Sequence, residues 1–212
     1  MKIERTRNKY FFVTFLNYTF VKNKKIIFFD GDGTIWYPKN TKRKKTPHWI
    51  YLDKKIGNDY LKHLVLTPAA LVSLKKIKNL GIILVLLSTH PHPPKEADVI
   101  LKKKVKHFKL GELFDYFYTS PDRPEGKGKI ILKVLRKKHI PKSQALLIGD
   151  SYRFDYLSAK NVGVDVLLIK SEYLWHPNHG RKIQKTISGL KDIDTVKKIA
   201  DALDVSLDVL MK

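Results

Sequence analysis

The chain has 212 residues, with 42 Lys and Arg against 20 Asp and Glu, so its formal net charge is +22. It has no cysteine, which excludes a disulfide framework and a thiolate zinc site. The hydrophobic content of 43% suits one domain with a full core. The positive charge favours polyanionic partners, whereas lysines scattered along a whole chain equally indicate a general lysine bias.

The amino-terminal 23 residues combine basic side chains with an apolar run at residues 10–16. That run is too short to span a membrane, and no small-residue cleavage site follows it. We therefore interpret residues 10–21 as a hairpin or one bent strand at a sheet edge, and we expect a cytoplasmic protein without a membrane segment.

The most informative segment begins at Lys25. The next four residues, 26–29, are all apolar and predict a strand buried on both faces. Asp30 and Asp32 follow in a glycine-rich turn. Unpaired charge beside a core is costly, so a cation or a reaction is a natural reason for it, and an Asx-type turn is the alternative. An EF-hand loop is excluded, because its sixth and twelfth positions would be Ile35 and Thr41 instead of Gly and Glu.

The next segment begins with a basic run at residues 39–45, which has no apolar period and predicts a solvated loop. Before residue 66, only residues 49–52 show modest order. Thr67 followed by proline predicts a helix start with Thr67 as the N-cap. Leucine and isoleucine at helical spacing extend this helix to about residue 80.

Apolar strands and amphipathic helices alternate in the remaining sequence. Strands are predicted at residues 82–87, 114–118, 145–148 and 164–169. Helices are predicted at residues 95–108, from just after Gly126-Lys127-Gly128 to residue 138, and around Ala159. This order predicts an α/β fold, a three-layer Rossmann-like parallel sheet with helices on both faces.

Polar residues recur where these strands end. Asp30 and Asp150 directly follow strands, Ser88 ends one, and Lys127 lies at the start of the next helix. Ligands of parallel sheets bind outside the carboxyl ends of the strands, so we expect these side chains to converge in one crevice.

These positions, in this order, resemble the signature motifs of the haloacid dehalogenase superfamily. The motifs are Asp30-Gly31-Asp32-Gly33-Thr34, then Ser88, then Lys127, and finally Gly149-Asp150 with Asp155. The resemblance covers residues 24–169 and implies catalysis by Asp30 as nucleophile and Asp32 as acid and base. The family's phosphatases pass through an aspartyl-phosphate, which is why they need both aspartates. The resemblance also implies that Ser88 and Lys127 bind the phosphate group.

The same resemblance implies a Mg²⁺ cofactor held by Asp30, Asp150 and the backbone carbonyl of Asp32, with Asp155 supporting this metal site. Within the superfamily, a second aspartate at position 32 favours a phosphatase or a phosphomutase, because dehalogenases and pump ATPases lack it. Lys129 is an alternative to Lys127. The Gly-Lys-Gly setting favours Lys127, since glycine lets a backbone approach a phosphate.

The intervening segments bear on the presence of a cap domain. Residues 35–66 look too irregular for a helical cap and residues 89–125 too short for a sheet cap, so we expect no large cap domain. A capless enzyme with Trp36 after the first motif is similar to the magnesium-dependent phosphatase family. The sequence departs from that family at Gly149-Asp150, where Asp-Asp is usual.

Substrate contacts are expected from Thr89, Trp36, Trp175 and His176, although core packing is an equal alternative for the tryptophans. The histidines at 90 and 92 fit a solvated loop. Two function classes remain open. One is a magnesium-dependent phosphatase for a phosphorylated small molecule or phosphotyrosine. The other is a polynucleotide phosphatase or nucleic-acid-binding protein that uses the basic surface.

The domain organisation that we predict has three parts. Residues 1–23 form the amino-terminal hairpin or edge strand, residues 24–190 the catalytic domain, and residues 191–212 a helical extension. The extension suits a helix pair that packs on the sheet or a contact in a homodimer.

Overall fold

A computed structural model describes residues 24–41, 47, 49–170, 186–187 and 189–190. In these ranges the strands are β1 (Ile26–Phe29), β2 (Trp36–Pro38), β3 (Leu64–Leu66), β4 (Ile83–His90), β5 (Tyr116–Pro121), β6 (Ala145–Gly149), β7 (Asp165–Ile169) and β8 (Thr186–Ile187). The α-helices are α1 (Trp49–Leu52), α2 (Ala70–Asn79), α3 (Pro94–His107), α4 (Gly126–Lys138) and α5 (Ser158–Lys160). None of the helices in the described ranges has the length and apolarity that a membrane span requires.

Several predictions concern segments outside the described residues. These are the amino-terminal hairpin or edge strand, most of the basic loop at residues 42–45, the aromatic pair Trp175 and His176, and the helical extension at residues 191–212.

The main sheet has the strand order β5-β4-β1-β6-β7-β8, and every neighbouring pair in it is parallel. Side chains of the central strand β1 alternate between two cores. Ile27 and Phe29 pack with residues of α2 and α3, and Ile26 and Phe28 pack with residues of α4. Helices therefore cover both faces, which confirms the predicted three-layer α/β fold. Because the strands are parallel, their carboxyl ends lie along one edge.

Strand β4 is longer than the predicted strand at residues 82–87. Ser88, Thr89 and His90 continue the ladder and pair with Thr119, Ser120 and Pro121 of β5. The prediction ended early because it followed apolar side chains, whereas the ladder depends on backbone groups. The interpretation of His90 as a solvated loop residue is wrong, since its side chain is buried.

Helix α2 begins at Ala70, so the prediction that Thr67 caps it is wrong. The Thr67 hydroxyl donates to the backbone carbonyl of Thr34 at 2.8 Å instead. Ala69, the residue before the helix, has a φ of 62° and no side-chain cap. The Thr67 hydroxyl thus bonds a residue distant in the sequence instead of the start of α2. This hydrogen bond connects the segment before α2 to the turn after β1.

The insert between β1 and α2 contains a two-stranded antiparallel ribbon in which Trp36 pairs with Leu66. This ribbon was not predicted, because its strands have only three residues each and so show no clear period. The helix α1 and the 3₁₀ segment Gly57–His63 complete the described part of the insert. These short elements lie beside the carboxyl end of β1.

Candidate active site

The turn after β1 places two carboxylates at the carboxyl edge of the sheet. Asp30 continues the ladder, with its backbone N–H donating to the Ile148 carbonyl at 2.9 Å. A Cβ atom at Gly31 would lie 2.6 Å from Cζ2 of Trp36 and 2.9 Å from Oγ of Ser88, so only glycine fits. This close packing brings Ser88 beside the turn that holds Asp30 and Asp32.

Lys127 lies in the first turn of α4 and is buried at the site. Its Nζ atom forms ion pairs with Oδ1 of Asp30 and, at 2.5 Å, with Oδ1 of Asp155. Lys129 is exposed. Of the two candidate lysines, the structure thus brings Lys127 to Asp30.

The glycines on either side of Lys127 serve protein packing. A Cβ at Gly128 would lie 2.6 Å from the Ser158 carbonyl oxygen, and one at Gly126 would lie 2.8 Å from the Pro121 carbonyl oxygen. Their absent side chains allow α4 to approach α5 and the end of β5. The clashes therefore explain these glycines by helix packing, and not by the approach of a phosphate that the sequence suggested.

The electrostatics of this cluster are dominated by burial and by shared charge. Burial raises the pKa of Asp30 to about 7, against the lowering effect of Lys127 and with a further rise from Asp155. Burial also disfavours the Lys127 ammonium, but Asp155 and Asp30 outweigh it and raise the pKa of Lys127. The two carboxylates therefore keep Lys127 protonated. The ion pair with Lys127 does not fully offset the cost of burying the Asp30 carboxylate.

Asp30, Asp150 and Asp155 are all buried, and each offers a carboxylate oxygen within 4.8 Å of the others. Three carboxylates beside the single ammonium of Lys127 leave excess negative charge that a divalent cation would neutralise. Carboxylate oxygens are the donors that Mg²⁺ prefers. The residues present therefore fit the predicted metal.

Asp155 also orients the loop that carries Asp150. Its Oδ2 atom accepts hydrogen bonds from the backbone N–H groups of Asp150 at 3.1 Å and Ser151 at 2.9 Å. It lies in a π-helical turn, Tyr152–Leu157, a deviation that is frequent at functional sites. A Cβ at Gly149 would lie 2.2 Å from Cγ of Asp155, so the closeness of this loop requires glycine there.

Asp32 is buried, and both of its carboxylate oxygens have partners. Oδ2 accepts hydrogen bonds from Nζ of Lys104 at 2.8 Å and from Oγ of Ser88 at 3.3 Å. Oδ1 accepts a hydrogen bond from the Tyr51 hydroxyl. Burial and the neighbouring Asp32 raise the pKa of Tyr51, which keeps that hydroxyl protonated. Asp32 thus lies among donors that stabilise a carboxylate.

Lys104 and Tyr51 were absent from the predicted site. Lys104 had a signal in the sequence, because it continues the apolar stripe of α3 formed by Ala97, Ile100 and Leu101. A lysine at a core position of an amphipathic helix requires a buried partner. Tyr51 comes from the irregular insert, where no period indicates which side chain faces inward.

The predicted substrate contacts Thr89 and Trp36 lie in the packed interior. The Thr89 hydroxyl hydrogen-bonds the Ser120 hydroxyl at 3.0 Å, and both groups are buried. Trp36 has 0% of its surface exposed, and its ring stacks on Phe108 at a centroid distance of 5.8 Å. Of the alternatives considered for Trp36, the structure supports core packing.

A cavity of about 320 Å³ lies between the insert and α3, next to Tyr51. Its lining includes Tyr60, His92 and Ile100, with the exposed lysines Lys54 and Lys103. The Tyr51 side chain lines the cavity and its hydroxyl reaches Asp32. The lining does not include the candidate catalytic and metal residues, so Tyr51 stands between this space of small-molecule size and Asp32.

Residues 17–169 match the family model of haloacid dehalogenase-like hydrolases. The chain belongs to this family. Membership confirms the predicted superfamily and the prediction of an enzyme. A comparison with curated proteins found no match.

Solved structures of similar fold come from several bacteria. A haloacid dehalogenase-like family hydrolase from Xanthomonas campestris has a TM-score of 0.60 and 14% identity, with 85% of this chain and 97% of that chain covered. A predicted phosphoglycolate phosphatase from Haemophilus somnus has a TM-score of 0.57 and 18% identity, with 82% and 98% covered. A predicted phosphatase from Clostridium acetobutylicum has a TM-score of 0.61 and 16% identity, with 84% and 99% covered. At these identities the likeness shows the fold.

Proposed function

We propose that this hydrolase is a magnesium-dependent phosphatase that cleaves a phosphate monoester through an aspartyl-phosphate on Asp30. The observation that carries the proposal is the ion pair of Asp30 with buried Lys127, with Asp32 on the same turn. A nucleophile, a phosphate-binding cation and an acid–base group then share one edge of the sheet. Two of the solved structures described above carry the name phosphatase, which agrees with this reaction class.

In the first step, a carboxylate oxygen of Asp30 attacks phosphorus and the ester P–O bond breaks. The leaving oxygen takes a proton from Asp32, which becomes a carboxylate. The Lys127 ammonium and the Ser88 hydroxyl lie beside the two aspartates, where they bind oxygens of the phosphoryl group. The products of this step are the free alcohol and the phosphorylated Asp30.

In the second step, the Asp32 carboxylate takes a proton from water, and the water oxygen attacks phosphorus. The bond between phosphorus and Asp30 breaks, which releases inorganic phosphate and restores both aspartates. Donation from Lys104, Ser88 and Tyr51 suits the carboxylate form of Asp32 that this step needs.

The residues that would hold Mg²⁺ are Asp30, Asp150 and the backbone carbonyl of Asp32, with Asp155 fixing the loop of Asp150. When bound, the ion supplies positive charge that offsets the negative charge of the phosphoryl group. Lys127 supplies a second positive charge at the same edge.

The cavity beside Tyr51 is the proposed place for the leaving group. About 320 Å³ suits a phosphorylated metabolite or a phosphotyrosine side chain, and aromatic rings line it. The net charge of +22 favours a polynucleotide phosphatase as the second candidate. The cavity itself adds no net charge to this argument, because Asp53 and Glu96 line it together with Lys54 and Lys103. Both candidates use the same catalytic groups.

A substrate panel tests the proposal. We expect phosphate release from small phosphate monoesters, aryl phosphates or phosphotyrosine peptides with Mg²⁺, and loss of release with EDTA. Activity chiefly on end-phosphorylated oligonucleotides, with an affinity that falls steeply as salt rises, would indicate the second candidate. No release from any substrate at saturating Mg²⁺ contradicts both.

The two lysines near the start of α4 give a matched pair of variants. We expect Lys127→Met to lower turnover by at least about 10²-fold, because it removes a cation aimed at the phosphoryl group. Lys129→Met removes the same charge from an exposed position and should leave turnover within about twofold, as for a surface substitution. Initial rates and thermal unfolding of both variants are the measurements. Similar losses in the two variants would contradict the role of Lys127.

A further inference from the structure

Lys104 is a buried cation that lies outside the sequence motifs. Its side chain has 0% exposure, and it projects from the apolar face of α3. The Nζ atom lies 5.2 Å from the ring centroid of Trp36 and 4.4 Å from that of Tyr51, and it is 2.8 Å from Oδ2 of Asp32. An aromatic pocket thus holds a single ammonium against the acid–base carboxylate.

Stability alone is a poor reason for this arrangement. Burial lowers the pKa of Lys104, and the attraction of Asp32 only partly opposes that effect. A buried ion pair seldom stabilises a fold more than well-packed apolar side chains of the same volume. An apolar residue at position 104 would complete the stripe of α3. The ion pair of Lys104 with Asp32 is therefore better explained by its effect on the Asp32 carboxylate.

The two oxygens of Asp32 have chemically different neighbours. Oδ2 faces the Lys104 ammonium, which donates hydrogen bonds and cannot accept one. Oδ1 faces the Tyr51 hydroxyl, which can donate to a carboxylate and accept from a carboxylic acid. The Ser88 hydroxyl also reaches Oδ2, at 3.3 Å, but the Lys104 ammonium is nearer, at 2.8 Å, and a cation disfavours a proton on the oxygen that it contacts. Oδ1 therefore suits proton exchange better than Oδ2 does, and Tyr51 also lines the cavity.

We propose that Lys104 is a positioning residue that holds Oδ2 of Asp32, so that Oδ1 is the oxygen that exchanges a proton with the leaving group and with water. The inference rests on the proposed phosphatase function. Lys104 itself touches no reacting atom and acts through the orientation of the carboxylate. Its loss should therefore matter most where proton transfer to the leaving group is needed.

The test compares Lys104→Met with Lys102→Met, a control that removes an exposed lysine from the same helix. Substrates are an alkyl phosphate and an aryl phosphate with a good leaving group, measured in single turnover. We expect Lys104→Met to lose about 10²-fold on the alkyl phosphate and clearly less on the aryl phosphate, since general acid catalysis contributes that order of rate. The control should keep both rates.

A double variant separates positioning from general damage. In the Asp32→Asn background, Lys104→Met should cause no further loss on the alkyl phosphate, because its effect passes through the Asp32 carboxylate. Lys104→Arg, which retains charge and donors, should recover part of the rate and covers the case in which the methionine variant does not fold. Thermal unfolding of every variant accompanies the kinetics.

The outcomes distinguish this inference from the proposed function. Equal losses on both substrates, a further loss in the double variant, or unchanged rates in Lys104→Met overturn the positioning role, even when Asp32→Asn shows the expected loss. An arginine variant that folds but loses both substrates equally also counts against it. A wild-type enzyme without phosphatase activity overturns the function and the inference together.

Discussion

Asp30→Asn should abolish turnover and prevent formation of any covalent phosphoenzyme. The amide is a poor nucleophile, yet it has the size of the carboxylate that pairs with Lys127. The site should therefore keep its shape while it loses the attacking group. Single-turnover phosphate release and intact-protein mass after mixing with substrate are the measurements.

Asp32→Asn should behave differently, although it lies in the same turn. It keeps the backbone carbonyl and the nucleophile, but it loses the acid–base group, which contributes roughly 10²–10⁴-fold. Attack on an activated aryl phosphate should suffer less than attack on an alkyl phosphate, because a good leaving group needs little protonation. Hydrolysis of the intermediate should slow, so the phosphoenzyme should accumulate.

This contrast between the aspartates has clear contrary outcomes. Near-normal turnover of Asp30→Asn would falsify the nucleophile assignment. Equal losses of Asp32→Asn on alkyl and aryl substrates would argue against an acid role. If both variants behaved alike in rate and in mass, the turn would have a structural role instead.

Gly149→Ala should be the most disruptive small substitution at the site. The added Cβ would lie 2.2 Å from Cγ of Asp155 and 2.4 Å from its Oδ2, so the aspartate side chain must move. It would then lose its hydrogen bonds to the backbone of Asp150 and Ser151 and its ion pair with Lys127. We expect the free energy of unfolding to fall by about 3 kcal/mol, the upper part of the range for overpacking.

Gly111→Ala is the matched control, because a Cβ there has no atom within 4 Å. Its free energy of unfolding should stay within about 0.5 kcal/mol of the wild type. Denaturant unfolding of both variants, and the rise in melting temperature that Mg²⁺ causes, are the measurements. Gly149→Ala should lose that rise and the control should keep it. A stable Gly149→Ala protein that still responds to Mg²⁺ contradicts the role given to Asp155.

Local sequence patterns were sufficient to predict most of the strands and helices of the main sheet and its covering layers. The apolar run at residues 26–29 is buried on both sides, as continuous hydrophobicity requires in a parallel sheet. Because the polar residues Asp30, Ser88 and Asp150 come at or near strand ends, the parallel order alone brought them to one edge. The π-helical turn of Asp155 and the ribbon at β2 and β3 had no such period and were not predicted.

The sequence by itself determined the α/β class and the edge at which the aspartates meet, because these depend on the periodicity of successive strands and helices. The family was indicated by a resemblance at motifs between Asp30 and Asp155. Only the tertiary structure decided which partners Asp32 has. Lys104 is 72 residues away on α3, and Tyr51 belongs to an insert without a regular period. Their positions depend on how α3 and the insert pack over β1, which is a property of side-chain shape and burial across the whole domain.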